Sequence, residues 1–198
     1  MPHNFLLVHS PLVGPSTWIN LARSLKAKML SCTIPDLTES TLATDSYFSR
    51  QIRMVADCTP SSPVILVGHS GAGPLLAAAS EVVPDLRGII FVDAGLPHPG
   101  QSWIQTADTG LVEQLNQMSQ GGWLPSWCEW WGPDAMAELL PEPQFRKKFC
   151  DECPRLPFAM FNEVHPLVLG GLHVPAAYLR LSEGYEDAAL RAEQLGCP

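Results

Sequence analysis

The chain has 198 residues, of which 46% are hydrophobic and 16% charged, so it can bury one substantial core and has no composition for long disordered tracts. At roughly 150 residues per domain, one domain plus an insertion is expected. The formal net charge of −8 would be repelled by nucleic-acid phosphate and by anionic lipid, which leaves a small neutral or apolar molecule as the best-fitting partner.

Nineteen prolines and fifteen glycines predict many short elements joined by tight loops. The start, Met1-Pro2-His3-Asn4, carries no secretory signal, and the apolar run Phe5 to Val8 is far too short to span a bilayer. That run suits a strand buried on both faces, ended by His9-Ser10-Pro11. Ser16 or Thr17 can cap a helix whose apolar positions Trp18, Leu21, Ala22 and Leu25 fall at helical spacing. Met29 to Ile34 reads as a second strand stopped by Pro35-Asp36, and a helix from about Asp45 to Ala56 follows with Phe48, Ile52 and Val55 on one face. Val64 to Val67 is the clearest strand and runs into a glycine-rich segment; Leu75 to Val83 is an apolar helix, and Gly88 to Val92 another buried strand ended by Asp93. Near Pro97 the alternation breaks. Residues 98–172 hold Trp103, Trp123, Trp127, Trp130 and Trp131, scattered prolines and helical patches such as Leu111 to Met118. Ala176 to Leu181 then reads as one more strand, and Glu186 to Leu195 as a helix with Gly196 at its end. Such alternation predicts an α/β fold, a mostly parallel sheet covered by helices on both faces. Its core would be built from residues 1–97 and 173–198, with 98–172 inserted as a helical, tryptophan-rich cap.

The six cysteines are Cys32, Cys58, Cys128, Cys150, Cys153 and Cys197; without a secretory signal they are expected as reduced thiols in a cytoplasmic protein. Cys150 and Cys153 have the spacing of half a zinc or redox motif, but no second pair accompanies them. They read as ordinary thiols, and no metal or organic cofactor is expected.

The chemistry concentrates in Gly68-His69-Ser70-Gly71-Ala72-Gly73. A serine becomes a useful nucleophile when a base takes its proton and donors hold the oxyanion that forms. A sharp strand-to-helix turn exposes the hydroxyl and needs small neighbours, which Gly68, Gly71, Ala72 and Gly73 supply. Ser70 is the candidate nucleophile, and the Gly71 N–H, opening the next helix, a candidate oxyanion donor. The bland reading is a glycine turn that packs helix on strand.

With these residues the chain resembles the α/β-hydrolase fold superfamily over nearly its whole length. His9-Ser10-Pro11-Leu12-Val13-Gly14-Pro15-Ser16-Thr17-Trp18 is similar to the histidine–glycine loop of plant hydroxynitrile lyases and methyl esterases. The resemblance implies a second oxyanion donor at the position of Pro11, which has no N–H to give. Ser10 stands where the esterases have glycine and the lyases threonine, so the Leu12 N–H or the Ser10 hydroxyl is expected to substitute. His9 is expected to hydrogen-bond structurally beside the site. The pocket is expected from His9, His69, Trp123, Trp127, Trp130 and Trp131, although the tryptophans could equally form the cap's own core.

The family order is serine, acid, histidine. Asp93, at the carboxyl end of its strand, is the first choice of acid, with Glu183 and Glu186 as alternatives. The resemblance implies that the base histidine, with a final strand and helix, lies beyond Pro198. Of His3, His98, His165 and His173, none holds the family's position. Without that strand an uncovered sheet edge is expected, able to pair two copies. Together these features predict a serine hydrolase acting on an ester, thioester or lactone of a small, mostly apolar compound. The alternatives are a hydroxynitrile-lyase-like lyase and a non-catalytic ligand-binding protein that kept the pocket.

Overall fold

The computed structural model describes residues 4–42, 46–167 and 172–197. His3, the expected helix start at Asp45 and Pro198 lie outside the described residues, as do residues 168–171 of the expected insertion.

In chain order the elements are β1 (Asn4–Val8), α1 (Ile19–Ala27), β2 (Ser31–Thr33), α2 (Tyr47–Asp57), β3 (Val64–Ser70), α3 (Gly73–Ser80) and β4 (Leu86–Ala94). Then follow α4 (Trp103–Thr106), α5 (Thr109–Met118), β5 (Trp123–Leu124), α6 (Gly132–Leu139), α7 (Pro143–Glu152), β6 (Leu156–Pro157), β7 (Ala176–Leu179) and α8 (Glu186–Gln194). Five strands form one sheet in the order β2-β1-β3-β4-β7, and every pairing within it is parallel. Strand β7 is an outer strand of this sheet. β5 and β6 make a separate antiparallel ribbon.

The continuous apolar strands are explained by burial on both faces. Side chains alternate across a strand, and here alternate residues enter two different cores. Leu6, Val8, Leu66, Ile89 and Phe91 pack with Val55 of α2, Leu75 and Leu76 of α3 and Ala192 of α8. Leu7, Val67 and Val92 pack on the other side with Trp18 and with Ala22 and Leu25 of α1. Each fully buried leucine or phenylalanine contributes about 1.5–3 kcal/mol, so a shift of one residue in β3 would put the helices against the wrong face.

Several ends differ from the periodicity. The expected second strand shortens to Ser31–Thr33, because Met29 takes a left-handed turn at φ 58° and is 91% exposed. Trp18 closes a 3₁₀ turn, Pro15–Trp18, instead of entering α1. Ser46 caps α2 by accepting from Ser49 N at 3.0 Å. The apolar helix after the glycine segment starts at Gly73, where Pro74 suits a first turn.

The segment between β4 and β7 forms one small core around Leu115, Leu124, Leu156 and Phe161 and a second in which Cys128, Met136, Phe149 and Cys153 pack with Val13 of the loop after β1. The second contains a correction. Cys128 and Cys150 form a disulfide, so the expectation of reduced thiols fails for these two. The pairing closes a loop from the 3₁₀ turn Trp127–Glu129 to α7, and its sulfurs lie among apolar side chains rather than in the imagined Cys150–Cys153 half-motif. Cys153 remains a buried thiol, its Sγ 3.8 Å from that of Cys128. Burial, with the Glu152 charge adding, pushes that thiol up to about 12. Among the described residues no helix is long and apolar enough to cross a membrane.

Candidate active site

Ser70 ends β3 with φ 54°, a left-handed conformation that costs a non-glycine residue on the order of 1–3 kcal/mol and persists only where the surroundings impose it. The surroundings are visible. Ala72 N donates to His69 O at 3.0 Å, closing the turn, and Gly95 N donates to Ser70 O at 3.1 Å, tying the elbow to the end of β4. A Cβ at Gly68 would meet Leu76 of α3 at 2.7 Å, and one at Gly73 would fall on the Gly95 carbonyl. The glycines therefore let α3 pack tightly on β3 and β4. Ala72 is fully buried, and its methyl is accommodated.

The loop after β1 comes in from the other side. A Cβ on Gly71 would lie 2.7 Å from Ser10 Oγ. Ser10 is buried, and its Oγ accepts from Leu12 N at 3.2 Å. The Leu12 N–H is thus engaged, which corrects its expected place as a free oxyanion donor; the Ser10 hydroxyl proton stays available. A network beneath this loop holds its shape. His9 is fully buried, with Nδ1 2.8 Å from Ser10 O and Nε2 accepting from Leu37 N at 3.0 Å. Donating from Nδ1 and accepting at Nε2 requires a neutral ring, and burial indeed lowers its pKa, only partly opposed by the Ser10 bond and Asp36. His9 is a structural bracket. Glu152 of α7 pins the same loop from above by accepting from Ser16 N at 2.8 Å.

Ser70 Oγ lies 2.8 Å from Tyr185 Oη. Tyr185 follows β7, at the end of the 3₁₀ turn Glu183–Tyr185, and both residues line a cavity of about 350 Å³. The rest of its wall is largely aromatic and aliphatic: Leu12, Tyr47, Phe48, Trp103, Leu111, Trp127, Trp130, Trp131, Met160 and Phe161, with Gln51 and His165 as polar members. Trp127 meets Trp131 edge-on at 6.1 Å, and Trp103 meets Phe161 at 5.2 Å, so the rings brace one another.

Of the expected pocket residues, Trp127, Trp130 and Trp131 are in place. Three are not, which is a correction. Trp123 sits on the β5–β6 ribbon, 36% exposed and away from the cavity. His9 is walled off beneath the loop. His69, one residue before Ser70 on β3, points to the other face, edge-on to Trp18 at 5.9 Å, and burial lowers its pKa while Asp93 partly restores it.

Asp93, the penultimate residue of β4, also has a positive φ, at 37°. Its Oδ1 accepts from Leu181 N at 2.6 Å and Ser182 N at 3.3 Å. Burial pushes this carboxyl up, but the two loop bonds and His69 outweigh it and hold it below the ordinary carboxylate value. Asp93 thereby fastens the segment that carries Tyr185. Among the described residues no histidine is hydrogen-bonded to it. Glu183 and Glu186, the alternative acids, are exposed, and Glu186 faces Arg180 at 3.5 Å. The remaining described histidines are otherwise occupied. Arg191 donates to the His98 ring, His165 Nδ1 accepts from His98 N at 3.2 Å, and His173 pairs with Glu81 at 3.3 Å. Burial, helped by His98, lowers His165 to about 4.

Sequence reasoning missed Tyr185. The only cue was its place in the turn after the last strand, where an acid was being sought.

Strand order, the positive-φ serine between β3 and α3, and helices on both faces define the architecture. The chain has the α/β-hydrolase fold. Solved structures match it closely in shape. An extracellular α/β-hydrolase from a Paenibacillus species, described as sharing structural and functional homology with tobacco salicylic acid binding protein 2, superposes with a TM-score of 0.70 at 21% identity, covering 91% of this chain and 78% of that one. Polyneuridine aldehyde esterase gives 0.66 at 18%, covering 100% and 88%. A pyrethroid hydrolase from Sphingobium faniae gives 0.67 at 19%, covering 90% and 77%. Among curated sequences, methylesterase 2 of Arabidopsis thaliana is 28% identical over 144 residues, 66% of this chain and 52% of its own length. The chain thus spans about half the length of that relative. No family model matches it.

Proposed function

We propose that this α/β-hydrolase-fold protein is an esterase that cleaves a carboxylic ester, thioester or lactone of a small, mostly apolar compound through Ser70. The observation that carries this reading is the strained Ser70, at φ 54°, whose hydroxyl opens into an aromatic cavity of about 350 Å³. A binding protein gains nothing from holding a serine in that conformation, whereas a nucleophile does. The cavity's apolar wall would seat the acyl or alcohol part by surface burial. Gly71 N–H, next to Ser70 in the cavity wall, would hold the oxyanion, with the Ser10 hydroxyl packed against Gly71 as a second donor; they add polar contacts only where charge develops, which favours the transition state over the substrate. Methylesterase, polyneuridine aldehyde esterase and pyrethroid hydrolase among the similar proteins support ester chemistry.

The test is turnover of p-nitrophenyl butyrate by the wild type and by Ser70→Ala. Loss of about 10³-fold or more in kcat is expected for removal of a covalent nucleophile. Equal turnover in the alanine variant would refute the reading. A second reading, a ligand-binding protein without catalysis, draws on the fact that none of the described histidines is hydrogen-bonded to Ser70. It predicts ligand-dependent quenching of the cavity tryptophans with no turnover by either protein.

A further inference from the structure

Two buried polar side chains of the cavity wall each keep one hydrogen-bonding atom unpaired among the described residues. We infer that Gln51 and His165 form a hydroxyl-binding subsite that sets specificity: besides its reacting group, the substrate carries an alcohol hydroxyl that donates to Gln51 Oε1 and accepts from His165 Nε2–H. The inference rests on the esterase reading only in calling the bound compound a substrate.

Gln51 is 2% exposed and His165 4%, and both line the cavity that holds Ser70. The Gln51 amide nitrogen donates to Ser40 Oγ at 3.1 Å and to Met160 Sδ at 3.8 Å. A thioether sulfur only accepts, so the end of the amide facing it is the nitrogen. Oε1 accepts from none of the described residues. His165 Nδ1 accepts from His98 N at 3.2 Å, so the neutral ring carries its proton on Nε2. Burial, helped by His98, keeps that ring neutral down to about 4. Its Nε2–H likewise meets no partner among the described residues. The buried polar atoms that are both sealed and unpaired lie elsewhere, on Ser16, Trp18, Arg50 and His69. Gln51 Oε1 and His165 Nε2 are therefore reachable, and the cavity is what reaches them.

The two residues share one part of the wall. Gln51 follows Phe48 by one turn of α2 on the same helix face, and the Phe48 ring meets that of His165 edge-on at 5.2 Å. An acceptor and a donor together select a group that does both. A carbonyl would satisfy His165 and leave Gln51 unpaired. An ammonium would satisfy Gln51 but turn its charge towards the His165 N–H and aromatic carbon. A hydroxyl serves both. Anywhere else on this largely apolar wall it would lose its water without replacement. Both partners are also held before a ligand arrives. Ser40 and Met160 fix the glutamine, while the His165 main chain donates to Gln101 O at 2.9 Å and accepts from Gly100 N at 3.3 Å. Little ordering is then left for binding to accomplish.

The experiment measures binding, by isothermal titration calorimetry on the Ser70→Ala protein, which has no serine hydroxyl to attack the probe. The probes are methyl esters of ω-hydroxy acids, about four to eight carbons long to suit the cavity. Each is paired with the isostere in which a methyl replaces the hydroxyl. An apolar wall without partners would favour the methyl isostere by about tenfold or more. Here the hydroxy ester should bind at least as tightly as its isostere at one or more chain lengths. Adding Gln51→Leu or His165→Phe should each shift that ratio about tenfold towards the isostere, because a bond is lost and the ligand hydroxyl is left partly unpaired. A general loosening of the cavity would weaken both probes alike and leave the ratio unchanged. No binding of any hydroxy ester, an isostere that binds about tenfold tighter at every length, or a ratio that either substitution leaves unchanged overturns the subsite. If a variant does not fold, the comparison of probes in Ser70→Ala decides alone. Turnover of p-nitrophenyl butyrate judges the esterase reading separately. A hydroxyl preference without Ser70-dependent turnover keeps the subsite and removes the esterase, and the reverse result keeps the esterase and removes the subsite.

Discussion

Replacing Gly73 by alanine tests the packing that creates the elbow. Gly73 is the first residue of α3, and an added Cβ would fall on the carbonyl oxygen of Gly95, with the Gly95 carbonyl carbon at 2.9 Å and Ala94 Cβ at 3.1 Å. The obstacle is backbone, so no rotamer change relieves it. Gly95 cannot retreat cheaply either, because its N–H holds Ser70 O at 3.1 Å. Overpacking of this kind costs about 1–3 kcal/mol and sometimes more, against about 0.5–1 kcal/mol gained by alanine over glycine in a helix. A net loss of about 1–2 kcal/mol is expected, or roughly 2–8 °C in Tm for a chain of this size. Gly184→Ala is the matched control: a Cβ there meets nothing within 4 Å, and its effect should stay within about 0.5 kcal/mol. Urea unfolding followed by tryptophan fluorescence gives both numbers. A Gly73→Ala protein as stable as Gly184→Ala would refute the argument that close approach of α3 to the β4 end shapes the Ser70 turn.

Two further outcomes follow from groups outside the elbow. The Cys128–Cys150 disulfide closes a sequence separation of 22, so Cys128→Ser should destabilise the protein by about 3 kcal/mol through the freed unfolded chain, read by urea unfolding without reductant; a variant equal to the wild type would show that the bridge constrains little. His165 is buried and held down to about 4, so the unfolded state binds its proton first as the pH falls. Its stabilising effect is complete above about pH 6.5 and is lost towards pH 4, with a slope of up to about 1.4 kcal/mol per pH unit. His165→Gln should flatten that slope between pH 4 and 6.5, and an unchanged slope would contradict the assignment.

How much of this was legible follows from which interactions are local. The parallel sheet could be read because each strand is buried on both faces, which writes continuous apolar runs at Phe5–Val8 and Val64–Val67 into the chain. The elbow could be read because strain and close approach demand Gly68, Ser70, Gly71 and Gly73 within six residues. Long-range contacts left no such pattern. Nothing near Cys128 marks Cys150 as its partner 22 residues on. Trp123 and Trp127 belong to one tryptophan-rich stretch, yet the β5–β6 ribbon carries the first to the surface while the following 3₁₀ turn carries the second into the cavity. Tyr185 approaches Ser70 across 115 positions, through the register of β7 on β4 and the Asp93 fastening, neither of which a one-dimensional pattern contains.

The role proposed for Ser70 is that of the nucleophile lining the aromatic cavity. It is tested most directly by incubating the protein with a fluorophosphonate and mapping the adduct by peptide mass spectrometry. One stoichiometric phosphonyl group on Ser70, absent from Ser70→Ala and from wild type unfolded in urea, is the predicted result. A folded wild type that stays unmodified, or carries the label at another residue, would contradict it.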